Sequence, residues 1–92
     1  MLTKVKMSLR ISSDTLNDDI SINIDAALLD MNRVGIKTTD AKKEDGATYD
    51  ALILACVILY CKWIYNYIDK GEEWHTAYER LRDTMARCGD YR

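Results

Sequence analysis

The chain has 92 residues and a mass of 10.6 kDa, with a formal net charge of -2, three cysteines, and neither proline nor phenylalanine. That length supports one small domain, residues 1–92, able to bury only about 60–70% of the surface its unfolded form exposes. A composition that is 48% hydrophobic and 30% charged excludes disorder, and the lack of proline beside four glycines removes the turn residues an all-β chain needs.

The pattern predicts an all-α fold, a small bundle of about four helices around a long apolar central one. The first helix is expected to start near Thr3, a good N-cap, with Leu2, Val5 and Leu9 on one face. Its charges, Lys4, Lys6 and Arg10, are all positive. Ser12, Ser13 and Asp14 then supply turn and N-cap chemistry, and Asp18 and Asp19 fall in the first turn of a second helix, where carboxylates favour the positive end of the helix dipole. Gly35 is a natural left-handed residue to end that helix, with Ile36 behind it to pack back. Residues 12–33 hold five Asp against one Arg, a local -4 facing the +3 of residues 1–11. Exposed pairs between such segments contribute little.

Ile20, Ile22 and Ile24 alternate with polar residues, which also fits a strand, but the length of the pattern favours a helix. At 100° per residue, Leu16, Ile20, Ile24, Ala27, Leu28, Met31 and Val34 gather within about 120°, while Ile22, Ala26 and Leu29 gather on the opposite side. One stripe serves the core. The other needs a further helix or a neighbouring subunit.

Residues 37–46 read as a solvated loop, since Asp40, Glu44 and Asp45 do not match calcium-loop spacing. The central helix is expected from Ala47 or Thr48 to Ile68, with only Lys62, Asn66 and Asp69 as a wet stripe. Seven of the eight aromatic residues lie between Tyr49 and Tyr78, and all eight are Tyr or Trp, whose polar handles suit half-buried contact. Gly71 breaks the pattern. Glu72 and Glu73 then open a last helix with a stripe of Trp74, Ala77, Tyr78, Leu81, Met85 and Cys88, and Gly89 ends it before a short tail.

Little in this order points to chemistry. No catalytic, cofactor-binding or metal-ligating set emerges. Cys56, Cys61 and Cys88 are odd in number and lack a C-x-x-C, so reduced thiols are expected, with Cys56 and Cys61 raised in pKa by apolar surroundings. His75 is the only histidine and falls on the polar flank of the last helix, where solvation is the expected state. The glycines at 35, 46, 71 and 89 stand alone, so no phosphate loop forms. A pI near 5.3 disfavours tight nucleic-acid binding. The amino terminus carries charges that no secretory segment tolerates, and the longest uncharged run, residues 51–61, falls short of the ~18 needed to span a bilayer, so a soluble, cytoplasmic origin is expected.

Leu9-Arg10-Ile11, the acid-rich turn from Asp14 to Asp19, and Ile24-Asp25-Ala26-Ala27 resemble the start of the head-tail connector (adaptor, head-completion) family of tailed bacteriophages and prophages. The apolar helix from Ala51 to Tyr67, the run Ala77-Tyr78-Glu79-Arg80-Leu81 and the closing Gly89-Asp90-Tyr91-Arg92 resemble its second half. Order and spacing over the whole chain carry the resemblance. Ser12 departs from it where the family often has an acid, and no proline precedes the long helix.

The resemblance implies a structural, non-enzymatic virion protein without a cofactor. It implies a closed, dodecameric ring beneath the portal vertex, extending the DNA channel toward a head-closure or tail-completion protein. Genomic DNA would pass without specific binding, with no membrane involved, and the protein would reach the virion neck from the host cytoplasm. Candidate subunit or partner contacts are Ile22, Ala26 and Leu29 on the second stripe, Leu54, Ile58 and Tyr65 on the central helix, and Tyr91 and Arg92 in the tail. The alternative reading is a small cytoplasmic helical regulatory module binding a protein or DNA. A recognition helix would have to be basic, however, and the last helix balances Arg80, Arg82 and Arg87 with Glu72, Glu73, Glu79 and Asp83.

Overall fold

The computed structural model describes residues 1–38 and 51–88. Its first helix, α1, spans Leu2–Ser8, starting one residue before Thr3, so that Met1 rather than Thr3 is the cap. The reason is burial. Met1, Val5 and Leu9 are all at most 7% exposed, and sinking this row into the core outweighs the hydroxyl cap that Thr3 offers. The helix stops with Arg10 in the left-handed region, φ 57°, while the Ile11 N–H donates to Lys6 O and the Arg10 N–H to Met7 O. This is a Schellman ending without glycine.

The second helix, α2, spans Asn17–Arg33, two residues later than Asp14 would start it as an N-cap. Ser13 and Asp14 organise the preceding turn instead: the Thr15 N–H donates to Ser13 Oγ, and Asp14 Oδ1 accepts from Asn17 Nδ2 and from Lys6 Nζ at 2.8 Å. The isoleucine run is helical as expected, with Ile20, Ile24, Ala27 and Met31 buried. Leu16 and Val34, assigned to the same stripe, lie at its two ends and are about 40% exposed. The carboxyl end is a second Schellman motif: Gly35 has φ 96°, its N–H donates to Asn32 O, and the N–H of the fully buried Ile36 donates to Met31 O.

The central helix, α3, spans Ala51–Ile64, shorter than the expected range to Ile68. Positions 47–50 lie outside the described residues. At the other end the helix stops because Asn66 turns left-handed at φ 49° and its side chain is used locally. Asn66 Oδ1 accepts the Gly71 N–H at 2.9 Å, and Asn66 Nδ2 donates to Asp69 Oδ1. A short 3-10 turn at Tyr67–Asp69 follows, in which Ile68 and Asp69 also have positive φ. Gly71 opens the last helix, α4, spanning Gly71–Arg87. A side chain there would place its Cβ 2.7 Å from Asn66 Oδ1, so the residue allows Asn66 to cap α4.

All four helices share one apolar core. α3 is its centre: α4 packs most extensively on α3, α2 packs on another part of it, and α1 packs on both α2 and α3. Among the described residues no polar or charged residue is fully buried. Glu72, Glu73, Tyr78 and Met85 take the places in α4 that its amphipathic pattern assigns them, the acids in the first turn and the other two in the core.

Candidate interface surface

Because α2 buries Ile20, Ile24, Ala27 and Met31, the helical period turns Ile22 and Leu29 directly away from the core. They are 66% and 62% exposed, and Ala26 beside them is half-buried. Leu54 and Ile58 are partly buried and pack against the core cluster. Tyr65 is partly buried too, and its hydroxyl donates to Asp19 while accepting from Asn23 Nδ2 at 3.0 Å. Burial and then the Asp19 hydrogen bond push the Tyr65 phenol up to about 12. The carboxylate placed at the start of α2 therefore also fastens that helix to the end of α3. Tyr91 and Arg92 lie outside the described residues, as do the loop acids Asp40, Glu44 and Asp45.

Beside the outer stripe, α2, α3 and α4 enclose an open groove of about 260 Å³. Ala26, Leu29, Asp30 and Arg33 form one wall, Tyr60 and Trp63 the floor, and His75, Tyr78 and Arg82 the other wall. The rings are interlocked. Tyr60 meets Trp63 edge-on at 5.4 Å and Tyr78 at 5.2 Å, and His75 stacks on Trp63 at 4.1 Å.

The polar side of the groove is organised around Arg82. Its guanidinium lies 2.9 Å from Asp30 Oδ2, 3.1 Å from Asp83 Oδ1 and 3.8 Å from Glu79 Oε2. Asp30 also accepts the Tyr78 hydroxyl at 2.6 Å. Burial works against the Asp30 carboxylate, but the hydrogen bonds from Tyr78 and Arg82 and the Arg82 charge outweigh it and hold its pKa below the usual value. Burial and the bond to Asp30 raise the Tyr78 phenol in turn.

His75 departs from its expected solvated state: besides stacking on Trp63, it places Nε2 3.1 Å from Glu79 Oε1 and is half-buried. Lys62, expected on a wet stripe, lies over the Trp74 ring at 4.6 Å and the Tyr67 ring at 5.0 Å, with its stem covering apolar surface. The local pairs His75–Glu79, Glu79–Arg82 and Asp30–Arg33 stand at helical spacing in the sequence, whereas Asp30 and Arg82 are separated by 52 residues.

Cys56 and Cys61 are free and buried, and burial pushes both thiols up to about 12, the wrong direction for nucleophiles. Among the described residues no group of three His, Cys, Asp or Glu is placed to hold a metal, and no helix is long and apolar enough to cross a membrane. What the surface offers is apolar and aromatic contact area beside a fixed array of charges.

Such a surface is that of a small helical bundle with an apolar stripe left in water. A family model described as phage connector protein matches residues 1–88, and the chain belongs to that family. No curated protein and no solved structure gives a significant match. Family membership makes a structural role in the phage neck the coarse functional assignment.

Proposed function

We propose that the protein assembles with copies of itself into a closed, dodecameric ring in the phage neck. The ring sits between the portal vertex and a head-closure or tail-completion protein, and extends the DNA channel. Its work is docking rather than catalysis. The observation that carries this reading is the outer stripe of α2, where Ile22 and Leu29 stand 66% and 62% exposed on the opposite side from a well-filled core. Large apolar residues grouped in this way mark surfaces awaiting a partner. A ring subunit needs two different surfaces related by a rotation that closes, and the α2 stripe with its adjoining groove supplies one of them.

The balance of charge supports a lumen through which DNA slides. A pI of 5.3 leaves no basic excess, and Arg82 is already surrounded by three carboxylates. Each lysine or arginine contact to phosphate would add a retaining interaction. The protein reaches the virion from the host cytoplasm and needs no membrane for this work.

Light scattering of the purified protein, alone and mixed with portal, tests the proposal. The expected result is a discrete assembly many times the 10.6 kDa subunit mass. A strict monomer that ignores portal complexes at high concentration would overturn it. A phage lacking the protein is expected to accumulate DNA-filled heads without tails, and normal virions from such a phage would also reject the role.

A further inference from the structure

A free subunit holds the outer stripe of α2 in water until a ring forms, and the order of residues along that stripe offers it a cover. Asp18, Ile22, Asp25, Ala26, Leu29 and Arg33 fall within about 100° of one another around the helix. All but the half-buried Ala26 are exposed. The stripe runs between two occupied edges: Leu2 of α1 meets α2 at Ser21, Ile24 and Asp25, and the groove begins at Ala26 and Asp30.

The stripe is self-complementary. Ile22 follows Asp18 by four residues, and Arg33 follows Leu29 by four. Two copies of α2 laid antiparallel, with Ile22 of each against Leu29 of the other, therefore bring Asp18 of each opposite Arg33 of the other. The apolar pairs lie at the centre, and one pair of opposite charges closes each end. Arg33 can turn to such a partner, since its side chain is 74% exposed and approaches Asp30 only to 3.7 Å. Ala26 sits beside the twofold axis, where a small side chain lets the helices come within the roughly 8–10 Å of ordinary helix packing. Asp25 falls on the other flank, where the two like charges face water and are screened. A parallel pairing would instead set Asp18 against Asp18 and Arg33 against Arg33, which disfavours it.

We infer that, below the concentration at which rings close, two copies of this chain pair antiparallel through the Asp18–Arg33 face of α2. Such a contact is isologous and closed, so it does not propagate. It covers Ile22 and Leu29, which ring closure has to release. One contact between two 17-residue helices falls short of the roughly 1,200 Å² that stable specific interfaces bury, so the pair exchanges readily and yields to a multivalent ring. The pairing is read from α2 alone; its role in holding unassembled subunits rests on the ring reading.

Sedimentation velocity of the full chain without portal tests the pairing, with folding followed by circular dichroism. The unmodified protein is expected to pass from the 10.6 kDa subunit to twice that mass as concentration rises, before any larger assembly. Asp18→Arg places two arginines at each end of the pair, and Arg33→Asp places two aspartates there. Each is expected to shift pairing to at least about tenfold higher concentration. An equimolar mixture of the two variants again sets one arginine against one aspartate at each end, and should pair within about threefold of the original concentration. Where charge reversal in the first turn destabilises α2, Asp18→Asn takes the place of Asp18→Arg; mixed with Arg33→Asp, it should pair better than Arg33→Asp alone. With portal present, Asp18→Arg is expected to form rings at a protein concentration no higher than the unmodified chain needs.

If either folded variant pairs as the unmodified protein does, or if the two fail to pair when mixed, the contact is overturned while the ring stands. A chain that passes from monomer to ring with no pair between them overturns it equally. A higher concentration of Asp18→Arg needed for rings on portal would overturn the holding role. An unmodified chain that pairs yet never assembles with portal removes the ring and leaves the pair.

Discussion

At the residue scale, the side chains that organise the surface are those whose partners are distant in sequence. Asp30 accepts from Tyr78 and Arg82, 48 and 52 residues away, and sits on the helix that its own sequence context marks as merely acidic. Asp30→Asn is expected to lower stability at pH 7 by about 1–3 kcal/mol, the usual range for a hydrogen bond to a charged group. The pH dependence follows from the lowered carboxyl pKa. The unfolded chain binds the proton more readily, so this contribution is complete above pH about 4 and is lost as pH falls through the folded value. Urea melts of the two proteins should therefore differ at pH 7 and converge in acid; an equal gap at pH 7 and pH 2.5 would show that the charge is not what matters. Composition made the cysteines legible where it left Asp30 opaque, because a thiol in an apolar run has one fate. With both thiols raised to about 12, iodoacetamide at pH 8 should modify Cys56 and Cys61 only as fast as the protein unfolds. Rapid labelling of either in the folded state would contradict their burial.

At the element scale, periodicity identified all four helices, and glycine identified the end of α2, because a left-handed residue is cheapest without a Cβ. The ends of α1 and α3 escaped for the complementary reason: Arg10, Asn66 and Ile68 adopt positive φ without being glycine. Asn tolerates that region through its short polar side chain, but for a β-branched residue it is an outlier. Ile68 is also 62% exposed, so little packing repays the strain. Ile68→Asn is expected to stabilise the fold by about 1 kcal/mol, which in a domain of this size raises Tm by about 4–8 °C. A lower Tm in a thermal melt would mean that Ile68 contributes contacts worth more than its backbone costs. The capping expectations at Thr3 and Asp14 failed on a second physical point. Caps contribute about 1 kcal/mol, and the burial of Met1, Val5 and Leu9 contributes more, so packing sets where α1 begins.

At the scale of the whole molecule, α2 packs against α1 and α3 along one side and leaves its Ile22 and Leu29 side in water. The sequence made that outer stripe legible, since Ile22 and Leu29 follow from the period alone, but not the groove beside it, whose aromatic and charged lining comes from three different helices. Their exposure separates folding from assembly. Ile22→Asp or Leu29→Asp removes little buried area, so each is expected to change monomer stability by no more than about 1 kcal/mol and to leave the helical circular dichroism intact. The same carboxylate placed inside a subunit contact must be desolvated without a partner, which costs several times as much. Assembly linked to folding makes Tm depend on protein concentration, because association stabilises the folded state by mass action. The melting temperature of the unmodified protein should thus rise with concentration, while that of either variant stays constant at the dilute-protein value. A variant that unfolds outright would place the stripe in the monomer core, and one whose Tm still climbs with concentration would place the ring contact elsewhere on the molecule.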